Sequence, residues 1–295
     1  MPKKITQKSL LRPKNMYHKA KKSLGQNFLK SDGILNKIVL ASELKIDGMT
    51  DSPELKKGEE YTVLEIGPGK GALTAKLLQS AKKVIAIEKD EQLFALLSEK
   101  FSKEIEEASL IIENTDILDL DTSKSPYFKS PYKIVANIPY NITGAIFKKF
   151  LTAENKPKSM TLLVQYEVAK RIMARDGKES LLSISVKAYG TPSMPLKVPA
   201  RFFSPVPKVD SAVIHIKDIS GEFFAKSQGE NDTEENFWEV VRAGFAHKRK
   251  KLAGNLKNLK DTSLKKEVQE KLLRLKLENA RAEDLSVEDW KMLVG

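Results

Sequence analysis

The central part of the chain alternates short apolar blocks with segments whose apolar residues recur every three or four positions. The blocks have the length and β-branched composition of buried strands, and the intervening segments have helical periodicity. The predicted strands are Thr62–Ile66, Lys83–Ile87, Leu110–Ile112, Ile134–Ala136 and Met160–Val164. The first predicted helix is capped by Ser31 or Asp32. The other predicted helices are Ala72–Gln79, Glu91–Phe101 and Gly144–Leu151. This alternation predicts an α/β fold with a mostly parallel sheet, right-handed crossovers and helices on both faces.

The pattern changes in the second half of the chain. Leu196–Val198 and Ala212–Ile216 predict a late antiparallel hairpin, joined through a proline-rich turn. Helical periodicity dominates the end of the sequence. We therefore predict four parts: a flexible basic arm at 1–22, the α/β domain at 23–217, an acidic linker at 218–235 and a smaller all-α domain at 236–295.

Basic residues are concentrated in two places. The chain has a formal net charge of +12, and no acidic residue precedes Asp32. A second basic cluster, His247–Lys251, falls in a segment that we predict to be helical. Such runs are often only solvated surface, but two separate clusters favour a polyanionic partner, because neutralised phosphates release counterions. The candidate RNA-binding residues are Lys21, Lys22, Lys248, Arg249, Lys250 and Lys251.

Several classes of protein are disfavoured by composition. The chain has no cysteine, which excludes disulfides and thiolate metal sites and suits a reducing cytoplasm. Its three histidines are scattered without ligand spacing, so we expect no metal site. No apolar run has the length of a membrane span. We therefore expect a cytoplasmic protein without a membrane partner.

A glycine-rich turn follows the first predicted strand. Gly67, Gly69 and Gly71 allow a sharp turn and close approach of a ligand to the backbone. With Ala72, the spacing also fits the loose fingerprint of dinucleotide-binding proteins, whereas the Gly-Lys-Ser/Thr of a Walker loop is missing. Glu88 ends the next strand, where it could accept hydrogen bonds from two ribose hydroxyls. A nicotinamide-dependent enzyme would also use an acid there, so the turn alone leaves both cofactors open.

Two later features favour S-adenosylmethionine as the cofactor. Asp116 follows the third strand and is placed to accept from an adenine amino group, with Ile117 beside the ring. The turn Asn137–Tyr140 follows the fourth strand: the Asn137 amide oxygen can accept from an amino group on a heteroaromatic ring, Pro139 removes a competing N–H, and Tyr140 offers a stacking face. The order of these residues predicts an amino-methyltransferase that acts on a nucleobase.

These motifs, in this order, resemble the rRNA adenine N6,N6-dimethyltransferase family (KsgA type). The resemblance covers about residues 20–260 and is carried by Lys22–Leu29, Glu65–Gly69, Ile87–Glu88, Asp116, Asn137–Asn141, Phe203–Ser211 and Phe245–Leu252. It implies a Rossmann-like methyltransferase sheet and, as substrate, two adjacent adenosines near the 3′ end of small-subunit rRNA, each dimethylated. It also implies an enzyme that works as a monomer on a 30S-type precursor.

The resemblance further implies a role for individual residues. Those expected at the S-adenosylmethionine site are Asn27, Leu29, Gly67, Gly69, Glu88, Asp116, Ile117 and Asn137. Those expected to hold the target adenine are Asn137, Pro139, Tyr140 and Phe203, with Tyr140 and Phe203 on either side of the extruded base. The chain departs from the family pattern at Thr143–Gly144, Glu179–Ser180, Lys248 and Lys251.

Two other functions share these motifs. An Erm-type methyltransferase of large-subunit rRNA has the same cofactor and Asn-x-Pro-Tyr motifs, and the basic segment at Phe245–Leu252 favours the small-subunit enzyme over it. A non-catalytic RNA-binding assembly or transcription factor could use the same fold. That alternative is disfavoured because every proposed site residue is intact.

Overall fold

The computed structural model describes residues 20–21, 24–44, 61–225 and 233–295. The predicted arm at 1–22, Lys22 included, lies outside the described residues except for residues 20 and 21. Part of the predicted acidic linker, residues 226–232, also lies outside them.

The main sheet consists of seven strands within the described part of the chain. They are β2 Thr62–Ile66, β3 Lys83–Ile87, β4 Leu110–Glu113, β5 Tyr132–Asn137, β6 Ser159–Gln165, β7 Thr191–Val198 and β9 Ser211–Lys217. Their order is β4-β3-β2-β5-β6-β9-β7. Strands β2 to β6 pair in parallel, and β9 runs antiparallel between β6 and β7. The predicted mostly parallel sheet with a late antiparallel hairpin is confirmed. Two short strands, β1 Phe28–Leu29 and β8 Phe203–Ser204, pair separately.

Helices cover both faces of the sheet because its strands are apolar on both sides. The helices are α1 Asp32–Ala41, α2 Ala72–Leu77, α3 Glu91–Lys100, α4 Ser102–Glu106, α5 Thr143–Leu151, α6 Tyr166–Met173 and α7 Leu181–Lys187. Along β2, Val63 packs with the core that contains α1, α2 and α3, while Leu64 and Ile66 pack with the core that contains α5, α6 and α7. Successive strand residues point to opposite faces, so each strand contributes to both layers.

The C-terminal part is helical, as predicted. Its helices are α8 Glu222–Ala225, α9 Glu234–Gly244, α10 Leu252–Leu256, α11 Thr262–Arg274 and α12 Val287–Val294. The second of the two cores continues into these helices, where Trp290 is fully buried. None of the helices in the ranges that the structure describes is long and apolar enough to cross a membrane.

A helix lies within the predicted acidic linker, and one local prediction is wrong. Residues 222–225 form α8, in which Phe223 and Phe224 pack against Phe237 with ring centroids 5.4 Å apart. The basic cluster His247–Lys251 is not helical; it lies in the turn between α9 and α10. Helix α9 ends at Gly244, and Asn255 of α10 donates to the carbonyls of Gly244 and His247, which fixes the turn.

The sharp turn after β2 depends on Gly71, which has φ of +73° and precedes α2. A Cβ at this position would lie 2.5 Å from the Phe101 ring and 2.8 Å from Leu97. We expect Gly71→Ala to lower the free energy of unfolding by about 2–4 kcal/mol, from left-handed strain plus overpacking. Urea denaturation measures this decrease.

Gly177 provides the matched control for this substitution. It has the same φ of +73°, but nothing lies within 4 Å of a Cβ built there. Gly177→Ala should therefore cost only the strain, about 1–2 kcal/mol. Equal decreases in the two variants would contradict the role of Phe101 and Leu97 in restricting position 71.

Candidate active site

A cavity of about 810 Å³ lies at the carboxyl edge of the parallel strands. Parallel strands bring their carboxyl ends to one edge, where α/β folds bind ligands. The cavity has the size of a small-molecule site. All the residues predicted to bind the cofactor line it: Asn27, Leu29, Gly67, Gly69, Glu88, Asp116, Ile117 and Asn137. Pro139 and Tyr140 line it as well.

Glu88 holds the glycine turn against the end of β3. Its Oε2 accepts from the Gly69 backbone N–H at 3.1 Å, and its Oε1 accepts from the Asp90 N–H at 2.9 Å. Glu88 is 5% exposed. A carboxylate oxygen can accept more than one hydrogen bond, so Glu88 is a candidate acceptor for hydroxyl groups in the cavity.

Asp116 lies on the other side of Glu88, after β4. One carboxylate oxygen accepts from the Leu118 N–H at 3.0 Å, and the other forms an ion pair with Lys89 Nζ at 2.7 Å. The hydrogen bond from Lys89 and that from Leu118 lower the pKa of Asp116, against a smaller opposing effect of burial. Asp116 is therefore a charged acceptor, and an incoming amino group would share it with Lys89.

Asn137 ends β5, and its side-chain amide is oriented by a neighbouring backbone group. Nδ2 donates to the carbonyl oxygen of Asn27 at 3.1 Å. Because this hydrogen bond holds the Nδ2 end of the planar amide against Asn27, the acceptor Oδ1 is turned away from that carbonyl. Pro139 follows with φ of −58°, which begins the 3₁₀ turn Tyr140–Ile142. The sequence therefore places an oriented acceptor directly before a rigid turn.

The Tyr140 side chain is fixed at its far end. Its hydroxyl is 2.8 Å from Ser211 Oγ in β9. Burial raises the pKa of Tyr140, and the Ser211 hydrogen bond opposes the shift. The residue is half-buried and lines the cavity. Its ring is thus held as a neutral aromatic surface next to Asn137.

The structure does not bring Phe203 to this cavity. Phe203 is 2% exposed, pairs with Leu29 in the β1–β8 ribbon and packs in the core beside α1. Only its neighbour Ser204 lines the cavity. In this conformation, the predicted sandwich of a base between Tyr140 and Phe203 is not formed, because the ring is used in core packing.

Two residues that the sequence reasoning missed also line the cavity. Phe28 contacts the glycine turn, where a Cβ at Gly69 would lie 3.0 Å from its ring, and Lys70 Nζ lies 5.0 Å from the ring centroid. Phe28 lies within the motif Lys22–Leu29, and this position in the sequence could have predicted that it lines the cavity. The second residue, Glu65, is an acid within the apolar strand β2. An acidic residue is rarely buried in such a strand, so the sequence alone could have indicated a functional role.

Glu65 is a buried carboxyl group with one unpartnered oxygen. The residue is 1% exposed, and Oε2 has no hydrogen-bond partner among the described residues. Burial raises the pKa of Glu65 to about 8, against the opposing effects of Thr74 and Lys100, and the charge of Glu88 contributes to the rise. Glu65 is therefore mostly protonated at neutral pH. It places an uncharged carboxyl beside the charged Glu88.

The predicted RNA-binding residues have different environments. Lys248, Arg249 and Lys250 are exposed, and none forms a salt bridge with a residue that the structure describes. Lys251 Nζ donates to Asn279 Oδ1 at 2.7 Å. Lys21 pairs with the buried carboxylate of Asp90 at 2.8 Å, and its own side chain is 42% exposed. Its charge is used within the protein.

Lys248 also lines a second cavity, of about 650 Å³, where α6 and α7 face the C-terminal helices. Arg171, Arg175 and Lys178 line the same cavity. The acidic residues Glu167, Asp176, Glu179 and Glu283 line it too, and Lys178 pairs with Glu283 and Asp284, so the wall next to the basic turn carries charges of both signs.

Glu65 generates a prediction about pH. Its pKa in the folded protein, about 8, lies above the ordinary value of 4.5, so the folded state binds the extra proton between these values. Wild-type stability should therefore fall as pH rises through this window, by up to about 1.4 kcal/mol per pH unit. Glu65→Gln lacks this titration, so its stability relative to wild type should increase with pH.

Urea unfolding of both proteins between about pH 5 and pH 8 measures this difference. Glu106→Gln, a change at an exposed position, serves as control and should follow the wild-type pH dependence. A constant difference between Glu65→Gln and wild type across the range would mean that Glu65 does not change charge there.

Comparison with known proteins identifies the family. Residues 17–294 match the family of ribosomal RNA adenine dimethylases. A ribosomal RNA small subunit methyltransferase A of Dehalococcoides mccartyi is 42% identical over 276 residues, which is 93% of this chain and 87% of that protein. The crystal structure of a dimethyladenosine transferase from Plasmodium falciparum is similar with a TM-score of 0.72 and 28% identity, over 90% of this chain and 95% of the other.

A 23S rRNA methyltransferase, ErmE, has a similar structure too. Its TM-score is 0.68 at 26% identity, and the match covers 90% of this chain and 98% of that one. Both solved structures share the arrangement of sheet and helices described above. The match to the family pattern over nearly the whole sequence is more specific than either structural likeness. The chain therefore belongs to the ribosomal RNA adenine dimethylase family and is an rRNA methyltransferase.

Proposed function

We propose that this protein transfers methyl groups from S-adenosylmethionine to N6 of two adjacent adenosines near the 3′ end of small-subunit rRNA. It dimethylates each of them, as a monomer acting on a precursor of the small subunit in the cytoplasm. The observation that carries the proposal is the oriented amide of Asn137 beside Tyr140, in the same cavity as Glu88 and Asp116. The name of the Dehalococcoides mccartyi relative supports the small subunit as substrate.

The residues of the cavity fit S-adenosylmethionine. Gly67 and Gly69 have φ of +65° and +61°, which glycine adopts without strain, and the Phe28 ring would lie 3.0 Å from a Cβ at Gly69. Glu88 would accept from the ribose hydroxyls, and Asp116 would accept from the adenine amino group. Ile117 and Leu29 supply apolar wall. The methyl group of this cofactor is activated by its sulfonium, so the protein needs to supply position and electrostatics.

The chain's contribution to the reaction lies at the target nitrogen. The N6 lone pair of adenine is delocalised into the ring, which makes it a poor nucleophile. The Oδ1 atom of Asn137 and a carbonyl of the 137–139 turn would accept from the amino hydrogens and favour the pyramidal nitrogen of the transition state. This is preorganised electrostatic stabilisation. Tyr140 would stack on the extruded base and replace part of the stacking that the base has in the RNA.

The main rival is a methyltransferase of large-subunit rRNA, since ErmE shares the fold. To distinguish the two, undermethylated small and large subunits would be incubated with labelled S-adenosylmethionine. We expect label in the small subunit only, at two adjacent adenosines. Label in the large subunit alone would overturn the proposed substrate. No label in either would favour a non-catalytic RNA-binding protein.

Asn137→Ala tests the proposed acceptor. Removing one preorganised polar group from a transition state costs about 10²–10³ in rate. We expect a decrease of this size in the rate at saturating cofactor, with only a moderate decrease in cofactor affinity. The matched variant Asn137→Asp keeps acceptor oxygens but loses the donor to the Asn27 carbonyl, so its activity should lie between those of Asn137→Ala and wild type. Turnover of Asn137→Ala within a few-fold of wild type would reject the assignment.

The exposed basic turn supports an interaction with RNA phosphates. Lys248, Arg249 and Lys250 carry three positive charges on one short segment, next to the cavity with Arg171 and Arg175. Charge on this surface would supply affinity that does not depend on base sequence. The turn is thus suited to hold a subunit while Asn137 acts on one nucleotide.

Neutralising Lys248, Arg249 and Lys250 together should weaken binding to the small subunit. The slope of log affinity against log salt should become less steep, by about 0.7–0.9 for each RNA phosphate that the variant no longer neutralises. Lys103, Lys124 and Lys129, exposed in segments around β4, give a control with the same change in net charge. If affinity decreases equally in the two triple variants, only net charge matters and the basic turn does not bind the RNA.

A further inference from the structure

The short segment of residues 24–29, which we call the strap, forms one wall of the main cavity. It follows Lys21 in the chain and contains Gln26, Asn27 and Phe28. The strap contacts both the cofactor side and the substrate side of the cavity. Asn27 and Leu29 of the strap belong to the proposed cofactor site, and the contacts of the strap with Asp90 and Asn137 indicate a second role.

On the cofactor side, the strap is attached to Asp90. The Asp90 side chain is fully buried. It accepts from Gln26 Nε2 at 3.0 Å and from Lys21 Nζ at 2.8 Å. The Lys21 backbone N–H donates to Gln26 Oε1 at 2.8 Å, so the three residues form one network. The Asp90 N–H itself donates to Glu88.

On the substrate side, the strap meets the turn that begins with Asn137. The carbonyl of Asn27 accepts from Asn137 Nδ2. Gly25, with φ of +62°, lies so close to the same turn that a Cβ there would be 3.3 Å from Asn141 Oδ1 and 3.6 Å from Pro139. The position of the strap therefore fixes the carbonyl to which Asn137 donates.

We propose that Asp90 is a positioning residue for methyl transfer: it anchors the strap, and through the Asn27 carbonyl the strap orients the Asn137 amide. The inference rests on the proposed function of Asn137. Without the anchor, the Asn27 carbonyl would move, and the amide would lose the hydrogen bond that turns its Nδ2 end toward Asn27 and its Oδ1 end away from it. A network of buried, charge-assisted hydrogen bonds is suited to such a task, because it is strong and directional.

Asp90 also has a purely structural role, and a test must distinguish this role from the proposed positioning of the strap. It is the N-cap of α3 and accepts from the Gln92 N–H at 3.1 Å. Serine is an equally good N-cap but has a shorter side chain. Asp90→Ser should therefore keep the cap and remove the hydrogen bonds with Lys21 and Gln26. Gln26→Leu removes the link between strap and Asp90 without touching α3.

The first measurement is the rate of methyl transfer at saturating cofactor and RNA. We expect Asp90→Ser and Gln26→Leu each to lower kcat about tenfold or more. A small rise in the activation free energy is enough for a tenfold decrease in rate. Lys124→Met is the control, since it removes an exposed ion pair with Asp121 at 3.1 Å, and it should leave kcat unchanged. A wild-type kcat in both Asp90→Ser and Gln26→Leu would overturn the proposal.

The second measurement asks whether the strap acts through Asn137. Residues that act as a unit show non-additive effects on the rate. In the Asn137→Ala background, Gln26→Leu should reduce the residual rate by less than twofold. If the decrease in rate in the double variant equals the product of the decreases in the two single variants, the proposal is overturned. The strap would then act by a route that does not involve Asn137, such as cofactor binding.

The third measurement does not depend on activity. Hydrogen exchange of the backbone amides at 24–29 and of the Asn137 side-chain amide, without RNA, reports the hydrogen bond itself. Exchange should be faster at both places in Gln26→Leu and unchanged in Lys124→Met. This result decides the proposal even if the wild type methylates no small-subunit RNA, in which case the proposed function fails separately. Unchanged exchange at Asn137 would overturn the strap's role.

Discussion

The arrangement of the site depends on the buried carboxylate of Glu88. Its two oxygens accept backbone N–H groups from Gly69 and Asp90, which ties the glycine turn to the start of α3. Asp90 in turn anchors the strap, and the strap orients Asn137. Asn114 adds a further link by donating to the Glu88 carbonyl at 2.8 Å. One acid at a strand end thus connects the cofactor side of the cavity with the substrate side.

Burying a carboxylate costs free energy unless hydrogen bonds or opposite charges compensate its charge. In this site the charge of Glu88 is compensated, and Glu65 is kept uncharged. Glu88 is stabilised by the two backbone donors. Glu65, close by in β2, has an oxygen without a partner in the described part of the chain, and its pKa of about 8 keeps it mostly protonated at neutral pH. The cavity therefore holds the negative charge where ribose hydroxyls are expected, next to a neutral carboxyl on the inner wall.

Much of this site could be predicted from the sequence because parallel strands carry their functional residues at their carboxyl ends. Glu88, Asp116 and Asn137 each follow a strand whose apolar pattern is easily recognised, and all three line the cavity. Long-range interactions set the environments that were not predicted. Phe203 is buried because β8 pairs with β1, and Lys21 is neutralised by Asp90 across the structure. No local pattern carries this information.

The strap also bears on how one site can act twice on the same amino group. After the first methyl transfer, the adenine nitrogen keeps a single N–H, so the substrate makes one hydrogen bond fewer to the acceptors. An acceptor that was oriented only by the substrate would lose its alignment at this stage. The Asn137 amide is instead held at its donor end by the Asn27 carbonyl, which belongs to the protein. Its oxygen therefore stays in place for the second transfer, and the same geometry serves both steps.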